Sequence, residues 1–441
     1  LLRIRGFRVP AAAGDDEDGR DKCRRQAQAQ SIQGRAAYTL AGLMPPRTIL
    51  YTGKGGVGKT SVAAATARSC AARGHRTVVM STDPAHSLSD SLGVELGSDP
   101  TPVAENLWGQ EIIAAAEMRR NWTRVSTWLT GLLLGQGVDR IRAEELTVPP
   151  GMDELFSLLQ IKKHWDSEEF DVLIVDCAPS GETLRLLGFP EVAQWWVEKA
   201  FPFNKGLMGA AAPLARALDI PIPDQELMDE VDHLVKNLIA MDEILRDHDH
   251  CSIRLVMNPD RMVINEARRT FTYLCLYGYQ TDAVVVNRIF PAEVDGTYFS
   301  SWRAYQSEQL EAVQDGFAPV PILKSRFFDE EVIGAGMHER LSDELFGDQD
   351  PAAILHPGLA REMETDGEHT IVRINAPFVE KEEIGLQKIG EELVVTVGDA
   401  RRTIILPSGL AQQDPTRAAF ENGSLEVTFT NGHSSPVTKP I

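Results

Sequence analysis

One eight-residue segment constrains this chain more than any other: Gly53-Lys54-Gly55-Gly56-Val57-Gly58-Lys59-Thr60. It matches GxxxxGK[ST] and stands between the apolar run 47–53 (RTILYTG) and an Ala-rich stretch, residues 59–73, closed by Gly74. A strand, a glycine loop and a helix in that order build a phosphate cradle. The glycines let successive N–H groups turn inward, and the helix N-terminus adds the positive end of its dipole. In this pattern Lys59 reaches the β and γ phosphates of a nucleoside triphosphate, and Thr60 ligates Mg2+. The candidate nucleotide-binding residues are therefore Gly53, Lys54, Gly55, Gly56, Val57, Gly58, Lys59, Thr60 and Ser61.

Further short, mostly apolar runs follow at 76–82, 171–177, 252–258, 281–287 and 320–323. Runs of this kind are strands buried on both faces. Helical stretches separate them, so the expected fold is α/β: a doubly wound parallel sheet over residues 47–350 with an inserted helical subdomain within about 105–250. The insert is read from 117–137, 153–165, 190–218 and 225–247. After residue 360 the texture changes to alternating runs at 370–374, 393–397, 402–406 and 425–430, with turn signals at Asp414-Pro415 and Asn422-Gly423. This predicts a small all-β sandwich over 362–431, followed by a tail, 432–441.

The extra lysine, Lys54, makes the loop a variant, GKGGVGKT, and here the chain resembles the deviant-Walker ATPases. Two later segments narrow the likeness. Ser81-Thr82-Asp83-Pro84-Ala85-His86-Ser87-Leu88 resembles the first switch, and Asp176-Cys177-Ala178-Pro179-Ser180-Gly181-Glu182-Thr183-Leu184-Arg185 the second switch, of the arsenite-pump and tail-anchored-protein-targeting ATPases. An aspartate after a buried strand otherwise serves as a helix cap; three motifs in the right order select the functional reading. The resemblance implies ATP hydrolysis by a nucleotide-sandwich homodimer in which Lys54 acts on the partner's nucleotide. It implies that Asp83 orients the attacking water, that Asp83 and Asp176 hold Mg2+ through water, and that the Gly181 amide senses the γ phosphate. Asn287 matches the position that reads the adenine edge, although an Asn closing a strand is commonly a turn residue.

The chain departs from the ATPases it resembles in places. The stretch after Asn287, RIFPAEVDGTYFSSWRAY, has no cysteine and offers no zinc clamp. The five cysteines are scattered without a CxxC pair and match no metalloid-binding cluster, which disfavours a metalloid-efflux ATPase. The segments NAPFVEKEEIGLQKIGEELVVTVG, RRTIILP and AAFENGSLEVTF resemble an α-crystallin, or small heat-shock, domain. A deviant-Walker ATPase with such a tail is similar to a subclass of photosynthetic bacteria and plastids.

Charge and hydropathy exclude other classes. The formal net charge of -20 repels a phosphate backbone, so nucleic acid is not an expected main partner. The longest uncharged run, 125–138, is shorter than the roughly 20 residues of a spanning helix, so stable membrane insertion is not expected. Residues 1–46 carry seven arginines, which fits a transit peptide and a chloroplast stroma location. Their acidic cluster 15–18 fits a disordered tail and the cytoplasm instead. Two apolar clusters, at Trp122, Trp128, Leu129, Leu132, Leu133 and Leu134 and at Trp195, Trp196, Phe201, Phe203, Leu207 and Met208, either fill a core or line a groove. A groove implies a hydrophobic or partly unfolded protein client, including a tail-anchored membrane protein. The alternative is a nucleotide-gated carrier of a small hydrophobic ligand or metallocluster.

Overall fold

A computed structural model describes residues 45–430 apart from 84–86, 113, 136–137, 141, 143–151, 179–224, 295, 359–362, 367–368, 399 and 412. The expected helix at 190–218, Gly181 and the apolar cluster from Trp195 to Met208 lie outside the described residues.

Eight strands form one sheet: β1 (Arg47–Thr52), β2 (Thr77–Ser81), β3 (Thr101–Ala104), β4 (Leu107–Glu111), β5 (Val172–Asp176), β6 (Cys251–Met257), β7 (Thr281–Ile289) and β8 (Ile322–Arg326). Their spatial order is β3-β4-β2-β5-β1-β6-β7-β8. Every pairing is parallel except β3 with β4. The doubly wound parallel sheet is as expected, and β3 adds one antiparallel strand at its edge. The strand TPVA alternates half-buried and exposed residues, so it lacks the continuous apolar run that marks the inner strands.

The period of two along each strand sorts its side chains onto two covered faces. Leu50, Met80, Val175, Leu255 and Val286 point into one core with Ile161, Met241, Phe271 and Phe317 of the helices α4 (Met152–Ser167), α5 (Gln225–Leu245), α6 (Arg261–Tyr277) and α7 (Thr297–Phe317). Ile49, Tyr51, Val79, Ile174 and Val285 point into the other, against α1 (Lys59–Ala72), α2 (Ser87–Leu92) and α8 (Gly334–Phe346). Burying each large apolar side chain contributes about 1.5–3 kcal/mol. The alanines of α1 serve a geometric need, because Ala63, Ala64, Ala65, Ala67 and Ala71 are all buried and let the helix lie close to the sheet. Helix α3 (Ala114–Gly135) lies in the expected insert and is only partly covered. Val125 is buried and Trp122 packs on the first core, but Leu134 is 42% exposed.

At the strand starts a buried charge network closes the other end of the sheet. Arg254 and Asp282 are fully buried and paired at 3.0 Å, and Arg47 reaches the same carboxylate at 3.0 Å. Arg254 donates to the Ala353 carbonyl and Arg47 to the Ala352 carbonyl, which clasps the chain that leaves α8.

The tail forms two antiparallel sheets, as its alternation predicts. One holds β9 (Met363–Asp366), β10 (His369–Asn375), β14 (Arg417–Glu421) and β15 (Ser424–Thr430), and the other β11 (Ile384–Ile389), β12 (Glu392–Val397) and β13 (Ala400–Ile405). Val372, Ile374, Val395, Leu425, Val427 and Phe429 fill the core between them. Asn422 (φ 53°) and Gly423 (φ 73°) take the two left-handed positions of the hairpin between β14 and β15, as a two-residue Asn-Gly turn requires.

Candidate functional site

Strand β1 lies between β5 and β6, so its C-terminal end opens at the middle of the sheet, where α/β folds of this kind bind ligands. Gly53 leaves β1 at φ 152°, and a Cβ there would meet the Val256 carbonyl oxygen of β6 at 2.1 Å. Gly58 sits at φ 94°, where a Cβ would stand 2.4 Å from Asn287 Nδ2. Sterics therefore require glycine at both ends of the loop. Lys59 opens α1 and is buried, and its ammonium donates back to the Lys54 carbonyl at 3.4 Å.

Thr60 and Asp176 meet across 116 residues of sequence. The threonine hydroxyl donates to Asp176 Oδ2 at 2.7 Å and lies 3.1 Å from Ser87 Oγ. Asp176 ends β5 and is fully buried. Burial raises its carboxyl to about pKa 6 against the opposing pull of the Thr60 hydrogen bond and Lys59. Its Oδ1 is buried with no hydrogen-bond partner among the described residues. A buried, unsatisfied carboxylate oxygen beside a hydroxyl is what an oxygen-ligated divalent cation takes up, directly or through water, so Thr60 and Asp176 fit Mg2+.

The first switch is tied to this centre by its backbone. The Thr82 amide donates to the Asp176 carbonyl at 3.0 Å, Thr82 Oγ1 accepts from the Ala178 amide at 3.2 Å, and the Asp83 amide donates to Ser81 Oγ at 3.2 Å. Thus Asp83 stands two residues beyond β2 (Thr77–Ser81) at the same sheet edge.

Asn287 is buried. Its Nδ2 donates to the Val57 carbonyl at 2.9 Å, while its Oδ1 accepts from Ser325 Oγ at 2.7 Å and from the Arg288 amide at 2.9 Å. Its side chain thus braces the loop. Lys54 is not turned onto its own loop: its ammonium pairs with Glu266 of α6 at 3.3 Å.

Three contributors escape a reading of the sequence. Arg288, at φ 63°, donates to the Gly56 carbonyl at 3.0 Å and holds the exposed side of the loop. Glu111, buried at the end of β4, accepts from the Ser89 amide at 2.8 Å and so fixes the start of α2 behind the first switch. His338 of α8 lies 3.0 Å from Ser91 of the same short helix and accepts from Arg68 of α1 at 3.2 Å. Burial holds its imidazole down to about pKa 4, so it is neutral at physiological pH. Of these, the carboxylate closing the run LWGQE is the one visible cue, because a buried strand ending in an acid needs a partner.

A glycine cradle at the centre of a wound sheet, a buried lysine and a threonine–aspartate cation site define a P-loop nucleotide hydrolase. Comparison with known proteins carries this to a family. Residues 46–347 match the model of the anion-transporting ATPases, and residues 367–429 the model of the HSP20-like domain found in those proteins. The chain belongs to the anion-transporting ATPase family and is an ATPase with a C-terminal HSP20-like domain. A chain of Chlorobaculum tepidum named arsenical pump-driving ATPase is 38% identical over 387 residues, 87% of this chain and 96% of that one. ATPase GET3B of Arabidopsis thaliana is 28% identical over 314 residues, 66% of this chain and 76% of its own, and ATPase GET3C of the same plant is 31% identical over 307 residues, 65% and 78%.

Proposed function

We propose that this ATPase works as a homodimer whose closing on two ATP molecules, and reopening after hydrolysis, controls binding of a hydrophobic protein client. The observation that carries the reading is the bond from Thr60 to Asp176 beside Lys59, with the second lysine, Lys54, engaged elsewhere. In this mechanism Lys59 and the loop amides bind the β and γ phosphates. Thr60 would hold Mg2+, with Asp83 and Asp176 contributing through water, and the cation would supply charge that offsets the phosphates. Asp83 orients a water whose oxygen bonds to the γ phosphorus as the bridging oxygen departs with its electron pair on ADP; the water's protons end on phosphate and solvent. Lys54 of the second copy meets the charge that gathers on that bridging oxygen. Asn287, bracing the loop, keeps one Nδ2–H beyond its bond to Val57, and that is the group it offers to the adenine edge.

The client assignment draws on α3, whose Leu129 and Leu133 are half-buried and whose Leu134 is exposed, and on the relatives named GET3B and GET3C. Photocrosslinking of an apolar client peptide tests it. Labelling that differs between ATP, ADP and no nucleotide supports the reading; identical labelling in all three states contradicts it.

A second reading, an ATPase that drives arsenical transport, is favoured by the name of the Chlorobaculum relative. The thiols speak against it. Among the described residues no group of three or more His, Cys, Asp or Glu stands together to hold a metal ion, and Cys70, Cys177 and Cys251 are each buried in the body of the protein. Arsenite-stimulated ATP turnover would reinstate this reading.

A further inference from the structure

Helix α6 (Arg261–Tyr277) is shared by two systems. Near its N-terminus Glu266 holds the Lys54 ammonium at 3.3 Å, with the two side chains 30% and 38% exposed. Its C-terminal half belongs to the β-sandwich. Leu276 is a member of the sandwich core and its carbonyl accepts from Arg402 Nη1 of β13 at 2.5 Å. The Thr272 hydroxyl donates to the Pro377 carbonyl, and the Tyr277 hydroxyl to the Arg401 carbonyl at 3.3 Å. Next to Pro377, Phe378 sits at φ 64° with its ring 6.2 Å from Phe271 of α6 and 5.2 Å from Phe317 of α7, and Arg268 stacks over it at 5.2 Å. Ten residues of helix, about 15 Å, separate Glu266 from Leu276.

We propose that Glu266 is a positioning residue for Lys54. It holds the lysine within its own subunit until a second copy presents nucleotide phosphate, and α6 makes that hold depend on the docked β-sandwich. The proposal rests on the reading that Lys54 acts across a dimer. Its physics is a competition. A half-exposed carboxylate–ammonium pair is a weak hold, whereas a polyphosphate approached in a closing interface offers several negative oxygens at once. A weak hold on a rigid helix is also easily biased. A shift of α6 at its sandwich end moves the Glu266 carboxylate, and by reciprocity dimer closure changes how firmly the sandwich sits.

Sedimentation of the full-length protein with Mg2+ and ATP tests this through a double-mutant cycle. Glu266→Gln is expected to tighten the ATP-dependent dimer about two- to fivefold, in line with the small worth of an exposed pair. The effect should vanish in the Lys54→Ala background, whereas a merely structural role for Glu266 would persist there. Phe378→Ala, which loosens the sandwich end of α6, should shift the same dimer constant and lose its effect in the same background. No change with Glu266→Gln, or an equal change with and without Lys54, overturns the proposal; no change with Phe378→Ala overturns its sandwich half. If Lys54→Ala itself dimerises and hydrolyses like the unaltered chain, the trans-lysine reading beneath it has failed.

Discussion

The Thr60 hydroxyl donates to Asp176 Oδ2 at 2.7 Å, joining the start of α1 to the end of β5. Among the described residues that bond leaves the other buried carboxylate oxygen, Oδ1, without a partner, as an oxygen-ligated cation requires.

That orphaned charge has a pH signature. The Asp176 carboxyl is raised by burial from an ordinary 3.8 to about 6. Below about pH 4 folded and unfolded chains both hold the proton, and nothing is lost. Between 4 and 6 the unfolded chain releases it first, so stability falls as pH rises, by up to about 3 kcal/mol in all. Without nucleotide, Asp176→Asn should therefore become more stable than the unaltered chain across that window, while losing Mg2+-dependent turnover. Urea melts of both proteins from pH 4 to 7 measure this, and a pH-independent difference contradicts it.

The loop brace predicts a pairwise rescue. Gly58→Ala drives a Cβ to 2.4 Å from Asn287 Nδ2 and strains a backbone at φ 94°. A loss of about 1–3 kcal/mol and weaker binding of a fluorescent ATP analogue are expected. Adding Asn287→Ala removes the clash but not the strain, so part of the stability should return. Simple additivity of the two changes in thermal melts would refute the contact.

Asp83 makes its expected contribution after binding. Asp83→Asn should lower phosphate release at least about 100-fold while changing ATP affinity by less than about fivefold. Loss of both in parallel would assign Asp83 to binding instead.

At the opposite end of the sheet, Asp282→Ala strands the buried Arg254 guanidinium and should cost about 3–5 kcal/mol. Replacing both by apolar residues should recover part of that, because Arg47 still lacks its carboxylate. Chemical denaturation of the single and double variants checks it, and an equal cost in both would show that the charge pairing is not what matters.

The glycine loop between β1 and α1 and the alternation of the tail were legible because each is local: glycines, a Lys-Thr pair and a period of two lie within a few residues of one another. The β3–β4 hairpin was not, because TPVA buries too little to carry an apolar run. Pairings between distant residues were also invisible. Lys54 reads as a phosphate ligand and Glu266 as a helix surface charge, and nothing in their neighbourhoods brings them to 3.3 Å. Arg254 and Asp282 each interrupt an apolar strand, a sign that a partner exists, without naming it. Asn287 was singled out for adenine, but the loop carbonyl it braces lies 230 residues away.

The central claim is that Lys54 completes the site of the other subunit, and mixing two inactive variants tests it directly. In a dimer of one Lys54→Ala and one Asp83→Asn chain, the first chain's nucleotide keeps its own Asp83 and receives Lys54 from its partner. An equimolar mixture of the variants should then hydrolyse ATP at up to about a quarter of the unaltered rate, since half the two-fold dimers are mixed and each has one complete site. A mixture no more active than its separate components would place Lys54 in its own subunit's site and contradict the account.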